Sequence, residues 1–169
     1  MAPPSAIDEA ALGDLYARLE RPMYNVVYRR LWNEQDSIDV VHDAFVRLWN
    51  ARSRVRPEGV EAYAWRTVLN LASNRRRAQR LWGWLAFDAD RDGGEAPGAD
   101  ADLDRKQREA RVRAAVEALP EKLRDVVLLA EFSDLGQAEI GAILGIPPGT
   151  VGSRRNAAAS LLRDALGEP

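Results

Sequence analysis

Between Ala86 and Asp104 the chain reads AFDADRDGGEAPGADADLD, seven acids against the single base Arg91, with Gly93, Gly94, Pro97 and Gly98 among them. Such a stretch has too little apolar surface to offset the entropy of ordering it, and it reads as a flexible acidic linker. It divides the 169 residues into two blocks. On both sides of it apolar residues recur at three- and four-residue spacing, the period of an amphipathic helix, and period-two alternation is almost absent. The chain is therefore predicted to be all-α, with two small helical domains over 7–84 and 105–167 joined by the linker 85–104.

In the first block, Leu12, Leu15, Leu19, Met23, Val26, Val27 and Leu31 mark one helix. Pro22 inside that pattern predicts a kink or break. A second helix is expected from Asp36, a good N-cap, with Val40, Val41, Ala44, Phe45, Leu48 and Trp49 inward. A third is expected from Pro57–Val60. It leads into a basic region: residues 52–80 hold eight arginines against Glu58 and Glu61, a net +6. Arginines supply phosphate contacts, and the interleaved Tyr63, Trp65, Trp82 and Trp84 are candidates to stack on exposed bases. The pattern suits single-stranded or melted DNA, although some of these rings are expected to be core.

The second block contains LGQAEIGAILGIPPGTVGSRRNAAASLL. Ile140 and Leu144 face inward on a short helix. Gly145 stands where a tight turn needs positive φ, and Gly141 where two helices cross closely. Ile146 is an anchor, Pro147-Pro148-Gly149 separate the helices, and Thr150 is a candidate cap. Val151, Ala158 and Leu162 then form a new stripe. This is a helix-turn-helix, which presents the start of its last helix to the major groove. The candidate reading positions are Thr150, Gly152, Ser153, Arg154, Arg155 and Asn156.

Other chemistry is excluded by what is missing. The chain has no cysteine and one histidine, His42, which argues against disulfides, a transition-metal cluster or a histidine triad. No metal, cofactor or catalytic residue is assigned. Asp88-Ala89-Asp90-Arg91-Asp92-Gly93 opens like a calcium loop, but its twelfth position is Ala99 rather than glutamate. No apolar run approaches the ~18 residues of a membrane span, and the N-terminus lacks the pattern of a secretory signal, so a cytoplasmic protein without membrane insertion is expected. The formal net charge of −2 implies weak binding of the free protein to DNA.

With both blocks read, the chain resembles the extracytoplasmic-function (ECF) sigma factors of bacterial RNA polymerase, the group IV members of the sigma-70 family. DSIDVVHDAFVRLW resembles the family helix that docks on the polymerase β′ clamp helices. The resemblance implies polymerase docking by Asp36, Asp39, His42, Asp43, Phe45, Arg47 and Trp49. RPEGVEAYAWRTVLNLASNRRR resembles the segment that binds and melts the promoter −10 element. It implies −10 binding and melting by Arg54, Arg56, Tyr63, Trp65, Arg66, Asn70, Asn74, Arg75, Arg76 and Arg77. The segment from Ala118 to Arg155 resembles the domain that binds the −35 element, with Glu139-Ile140-Gly141, Leu144-Gly145-Ile146 and Gly149-Thr150-Val151 in register. The implied partners are core polymerase through the β′ clamp helices and β flap, promoter DNA, and an anti-sigma factor.

The sequence departs from the family pattern at several places. His42 stands where glutamine is common and Ile38 where an acid is common. Gly152 replaces a usual lysine, Arg155 takes a usually apolar position, and Ala157 and Ala159 replace basic residues. Fewer cations mean fewer phosphates neutralised, so the −35 unit is expected to be a weak positioning element. Two other readings stay open at this point. One is a LuxR-like helix-turn-helix regulator that is not a polymerase subunit. The other is a decoy that binds polymerase or an inhibitor without starting transcription.

Overall fold

In a computed structural model of the protein, the backbone is described over residues 7–86 and 100–167 and side chains over 7–83 and 103–167. The acidic residues 87–99, the calcium-like loop within them and the side chain of Trp84 lie outside this range. Among the described residues there are seven α-helices and no strand: α1 (Glu9–Leu31), α2 (Glu34–Ala51), α3 (Val60–Ala86), α4 (Asp100–Ala118), α5 (Glu121–Phe132), α6 (Gln137–Leu144) and α7 (Pro148–Leu166). A 3₁₀ turn, Pro57–Gly59, leads into α3. Both α3 and α4 extend into the stretch expected to be linker.

Local chemistry accounts for most of the helix ends. The Asp8 carboxylate accepts from the Ala11 amide at 2.8 Å and starts α1. Asn33, not Asp36, caps α2: its side chain accepts from the Asp36 amide at 2.8 Å, so the helix begins two residues earlier than expected. Pro22 does not break α1, which runs unbroken through it. Leu19, Met23, Val26 and Val27 are buried on either side, and that continuous apolar face outweighs one missing N–H donor. Thr150 does not cap α7 either. The helix begins at Pro148, where a missing amide proton costs nothing, and Thr150 sits in its first turn.

In the first block α1, α2 and α3 pack around Met23, Val26, Ala44, Leu48, Trp65, Val68 and Ala72, all essentially without solvent contact. The second block wraps α5 and α7 around each other and seats α6 across them. The two blocks are not independent. One apolar cluster continues from Leu15 on α1 to Leu128 on α5 and to Ile140 and Ile143 on α6, through contacts of α1 with α5 and of α3 with α6.

The helix-turn-helix obeys its sequence closely. Gly145 ends α6 with φ +67°, and Ile146 is half-buried beyond it. At Gly141 a methyl group would lie 2.6 Å from the Ile146 carbonyl oxygen. These two glycines serve different ends, a left-handed backbone and a close crossing. We expect Gly141→Ala to destabilise the fold by about 2–3 kcal/mol through overpacking against rigid backbone. Gly145→Ala, with open space around it, should cost about 1 kcal/mol through its φ alone. Urea unfolding of the two variants measures both; equal losses would contradict the assignment.

Candidate nucleic-acid interface

On α7, Ser153, Arg155 and Asn156 are exposed and Thr150, Gly152 and Arg154 half-buried, at the end of the helix nearest the turn. Ser153 donates its hydroxyl proton to the Thr150 carbonyl at 3.1 Å, holding that side chain back against the helix. The Arg155 guanidinium pairs with Glu131 on α5 at 2.7 Å. That pairing further reduces the free positive charge on a surface already short of lysine.

In the first block Arg54 and Arg56 are exposed on the loop before α3. Arg66, Asn70, Asn74 and Arg77 are exposed along α3 at helical spacing, so they form one polar strip, while Tyr63 is half-buried. Three of the sequence-predicted residues belong elsewhere. Trp65 has no exposed surface and is a core residue; its ring cannot stack on a base while the fold holds. Arg75 is half-buried and donates to Asp36 at 2.7 Å, joining α3 to α2. Arg76 is 8 % exposed and donates to the Arg30 carbonyl at the C-terminal end of α1, 2.6 Å away. A cation there also complements the helix dipole. Among the described rings of this run, Trp82, 69 % exposed near the end of α3, stands free.

The strip on α3 is exposed but borders a second wall. With α5 and α6 it lines a cleft of about 560 Å³, whose far wall is Glu121, Asp125, Ile143 and Leu144. Two carboxylates thus overlook the surface expected to take a DNA strand.

The seam between the blocks rests on charged residues that the sequence did not single out. Arg30, 1 % exposed, donates to Asp125 on α5 and to the Ser73 hydroxyl on α3, the latter at 2.8 Å. Glu121 stands 3.6 Å from it. Burial, with the nearby charges of Arg124 and Arg76, pushes the Arg30 guanidinium down to about 10 against the pull of Glu121. Burial likewise lowers Arg76 and Arg124. Arg124 donates to the carbonyls of Val116, Glu117 and Leu119 and so closes the end of α4. Arg29 adds a cation–π contact, 3.7 Å above the Phe132 ring. No local pattern announces Arg30–Asp125, since 95 residues separate the partners.

The docking residues divide in the same way. Asp39, His42, Asp43 and Arg47 line the outer side of α2, and Val46 is a 58 % exposed apolar residue among them. His42 Nε2 lies 2.8 Å from the Tyr16 hydroxyl. Asp36 is occupied by Arg75 and Gln79. Phe45 is buried edge-on against Tyr16. Trp49 is half-buried beneath Arg52. These three residues shape α2 from within.

The second block thus carries a helix-turn-helix, and the first a polar, arginine-bearing helix beside the outward-facing residues of α2. Family comparison gives the chain a place. Residues 15–81 match the family model described as Sigma-70 region 2, and residues 103–162 that described as Sigma-70, region 4. The chain is 30 % identical over 162 residues to the ECF RNA polymerase sigma-E factor of Escherichia coli, covering 87 % of this chain and 82 % of the relative. It is 28 % identical to ECF sigma factor SigW of Bacillus subtilis, covering 94 % and 90 %. It is 32 % identical to SigE of Mycolicibacterium smegmatis over 85 % of this chain, but spans only 57 % of that longer relative. The fold is similar to that of CnrH in its complex with the cytosolic domain of CnrY, with a TM-score of 0.72 at 24 % identity over 95 % of this chain and 90 % of the other. It also resembles RpoE from Bartonella quintana in its complex with the anti-sigma factor NepR, with a TM-score of 0.66 at 16 % identity over 95 % and 98 %. The chain belongs to the ECF sigma factors of the sigma-70 family. The match to region 2 removes the LuxR-like alternative, because it accounts for the first block as well as the helix-turn-helix.

The seam makes an asymmetric prediction. Asp125 keeps 22 % of its side chain exposed and can rehydrate if its partner is lost, whereas Arg30 cannot. Asp125→Asn should therefore cost about 3 kcal/mol, and Arg30→Met about 1 kcal/mol or less. Thermal melts of both variants decide it; the reverse order would mean that Arg30 is not the buried charge that matters.

Proposed function

We propose that the protein is an RNA polymerase sigma subunit that binds core polymerase, recognises −10 and −35 promoter elements, melts the DNA and starts transcription of a specific set of genes. The observation that carries this reading is the presence, in order on one chain, of both family regions at 15–81 and 103–162. The protein is a regulatory subunit; the polymerase supplies the catalysis. Among the described residues no helix is long and apolar enough to cross a membrane, and we place the protein in the cytoplasm with the polymerase.

In this reading 7–84 is the polymerase- and −10-binding domain, 85–104 the linker and 105–167 the −35-binding domain. The outward residues of α2, Asp39, His42, Asp43 and Arg47, dock on the β′ clamp helices with Val46 among them, and the second domain approaches the β flap. Arg54 and Arg56 guide the strand toward α3. Arg66, Asn70, Asn74 and Arg77 hold its backbone and base edges, and Tyr63 stacks. Flipping a base costs a few kcal/mol, which stacking and phosphate contacts offset. Thr150, Ser153, Arg154 and Asn156 set the upstream register. Arg155, tied to Glu131, contributes less than an arginine normally would. An anti-sigma factor is the natural inhibitor, in line with the complex of RpoE with the anti-sigma factor NepR.

The cleft shared with α5 and α6 adds a condition: its acidic wall, Glu121 and Asp125, has to move away from the strip before a strand settles there. Transcription reconstituted with core polymerase and promoter fragments tests the whole proposal, and absence of both core binding and a specific transcript would refute it. A chain without native cysteine allows a sharper test. Cysteines at Arg29 and Phe132, joined by a short bismaleimide, hold α1 to α5. The joined protein should lose promoter melting, read by permanganate, by at least tenfold relative to the unjoined double variant. Full melting by the joined protein would show that the cleft need not open.

A further inference from the structure

Where α1, α3 and α5 meet, the seam encloses a cavity of about 240 Å³ lined by Arg30, Ser73, Arg76, Arg77, Arg80, Glu121 and Arg124. That is several times the ~30 Å³ share of one water in the liquid. Five permanent cations face a single lining carboxylate, Glu121, whose side chain is 64 % exposed. The neighbouring carboxylates are already engaged, Asp125 by Arg30 and Glu117 by Arg76 at 3.7 Å. Arg77 and Arg80 make no hydrogen bond or ion pair among the described residues. Deeper in, the Nε atoms of Arg30 and Arg76 are buried without a partner. The cluster repels itself: the charges of Arg76 and Arg124 oppose that of Arg30, and Arg80 opposes both Arg76 and Arg124.

We propose that this cavity is a binding site for a phosphate-class oxyanion, and that an oligophosphate, with charge enough to reach both Arg77 and Arg80 at the rim, is its preferred ligand. Guanidinium forks converging on tetrahedral oxygens form short charge-assisted hydrogen bonds, and the Ser73 hydroxyl supplies a further donor. Arg124 and Glu121 come from the second block and the other lining residues from the first, so the site exists only while the blocks are together. A ligand there stabilises the closed arrangement and, by linkage, opposes the opening that promoter DNA requires.

The test is calorimetric titration of the full chain with pyrophosphate and with tripolyphosphate, without magnesium, against sodium chloride at matched ionic strength. We expect saturable binding and a rise in melting temperature that chloride does not reproduce. Arg80→Ala should weaken binding at least fivefold. Glu121→Gln, which removes the one lining carboxylate from an exposed position, should tighten it at least threefold. Adenosine triphosphate separates the two sources of the ligand. Affinity equal to that of tripolyphosphate marks a free oligophosphate as ligand, and a tighter fit with the same response to both substitutions marks a nucleotide; either supports the site. Absence of saturable binding overturns the proposal. So does binding that Arg80→Ala weakens but Glu121→Gln leaves unchanged, because the anion would then lie on the α3 arginines alone, outside the cavity.

Discussion

Arg30 brings a full positive charge to a place with almost no water, at the end of α1, and needs partners from two other helices to remain there. Ser73 comes from α3 and Asp125 from α5. Its own carbonyl is held by Arg76, so side chain and backbone of one residue tie three helices together. A buried ion pair of this kind adds little net stability over an apolar replacement, because desolvation consumes most of the Coulombic gain. It does penalise every arrangement that leaves the arginine buried and alone. The relative setting of α1, α3 and α5 has to satisfy that penalty together with the apolar cluster the blocks share.

This setting has a consequence for DNA. The strip Arg66, Asn70, Asn74 and Arg77 is well formed on α3, yet its approach is lined by Glu121 and Asp125. Carboxylates beside a nucleic-acid surface repel the strand it would receive. The same two residues neutralise Arg30, so closing the seam and blocking the strip are one arrangement. When the blocks part, Arg30 and Arg76 lose their acidic partners and become available to phosphates.

The second block shows a related economy. Its helix-turn-helix is stiff, with a left-handed glycine and a crossing too close for any side chain. Its reading helix carries little free charge, since Arg155 is paired and the usual lysine is Gly152. Rigid shape with weak electrostatics suits an element that sets register while affinity comes from elsewhere, and the net charge of −2 points the same way.

The sequence by itself determined what depends on local rules. Helical period specified the all-α class and two blocks. Turn chemistry specified Gly145 and Gly141, and the order of motifs led to the family. Pro22 brought no break and Thr150 no cap, because a continuous buried face and the position of Pro148 overrode the local signals. Only the tertiary structure decided which of many arginines and aromatics are free. Trp65 and Trp82 read alike in a basic, aromatic run, yet one is core and the other exposed. Arg76 and Arg77 are neighbours, yet one is buried and closes a helix end while the other is exposed along the strip. Successive residues on a helix point about 100° apart, so a shared motif does not mean a shared environment. Arg30 and Asp125 form no pattern at all across 95 residues. Long-range pairing depends on how helices settle against one another, and no spacing along the chain encodes it.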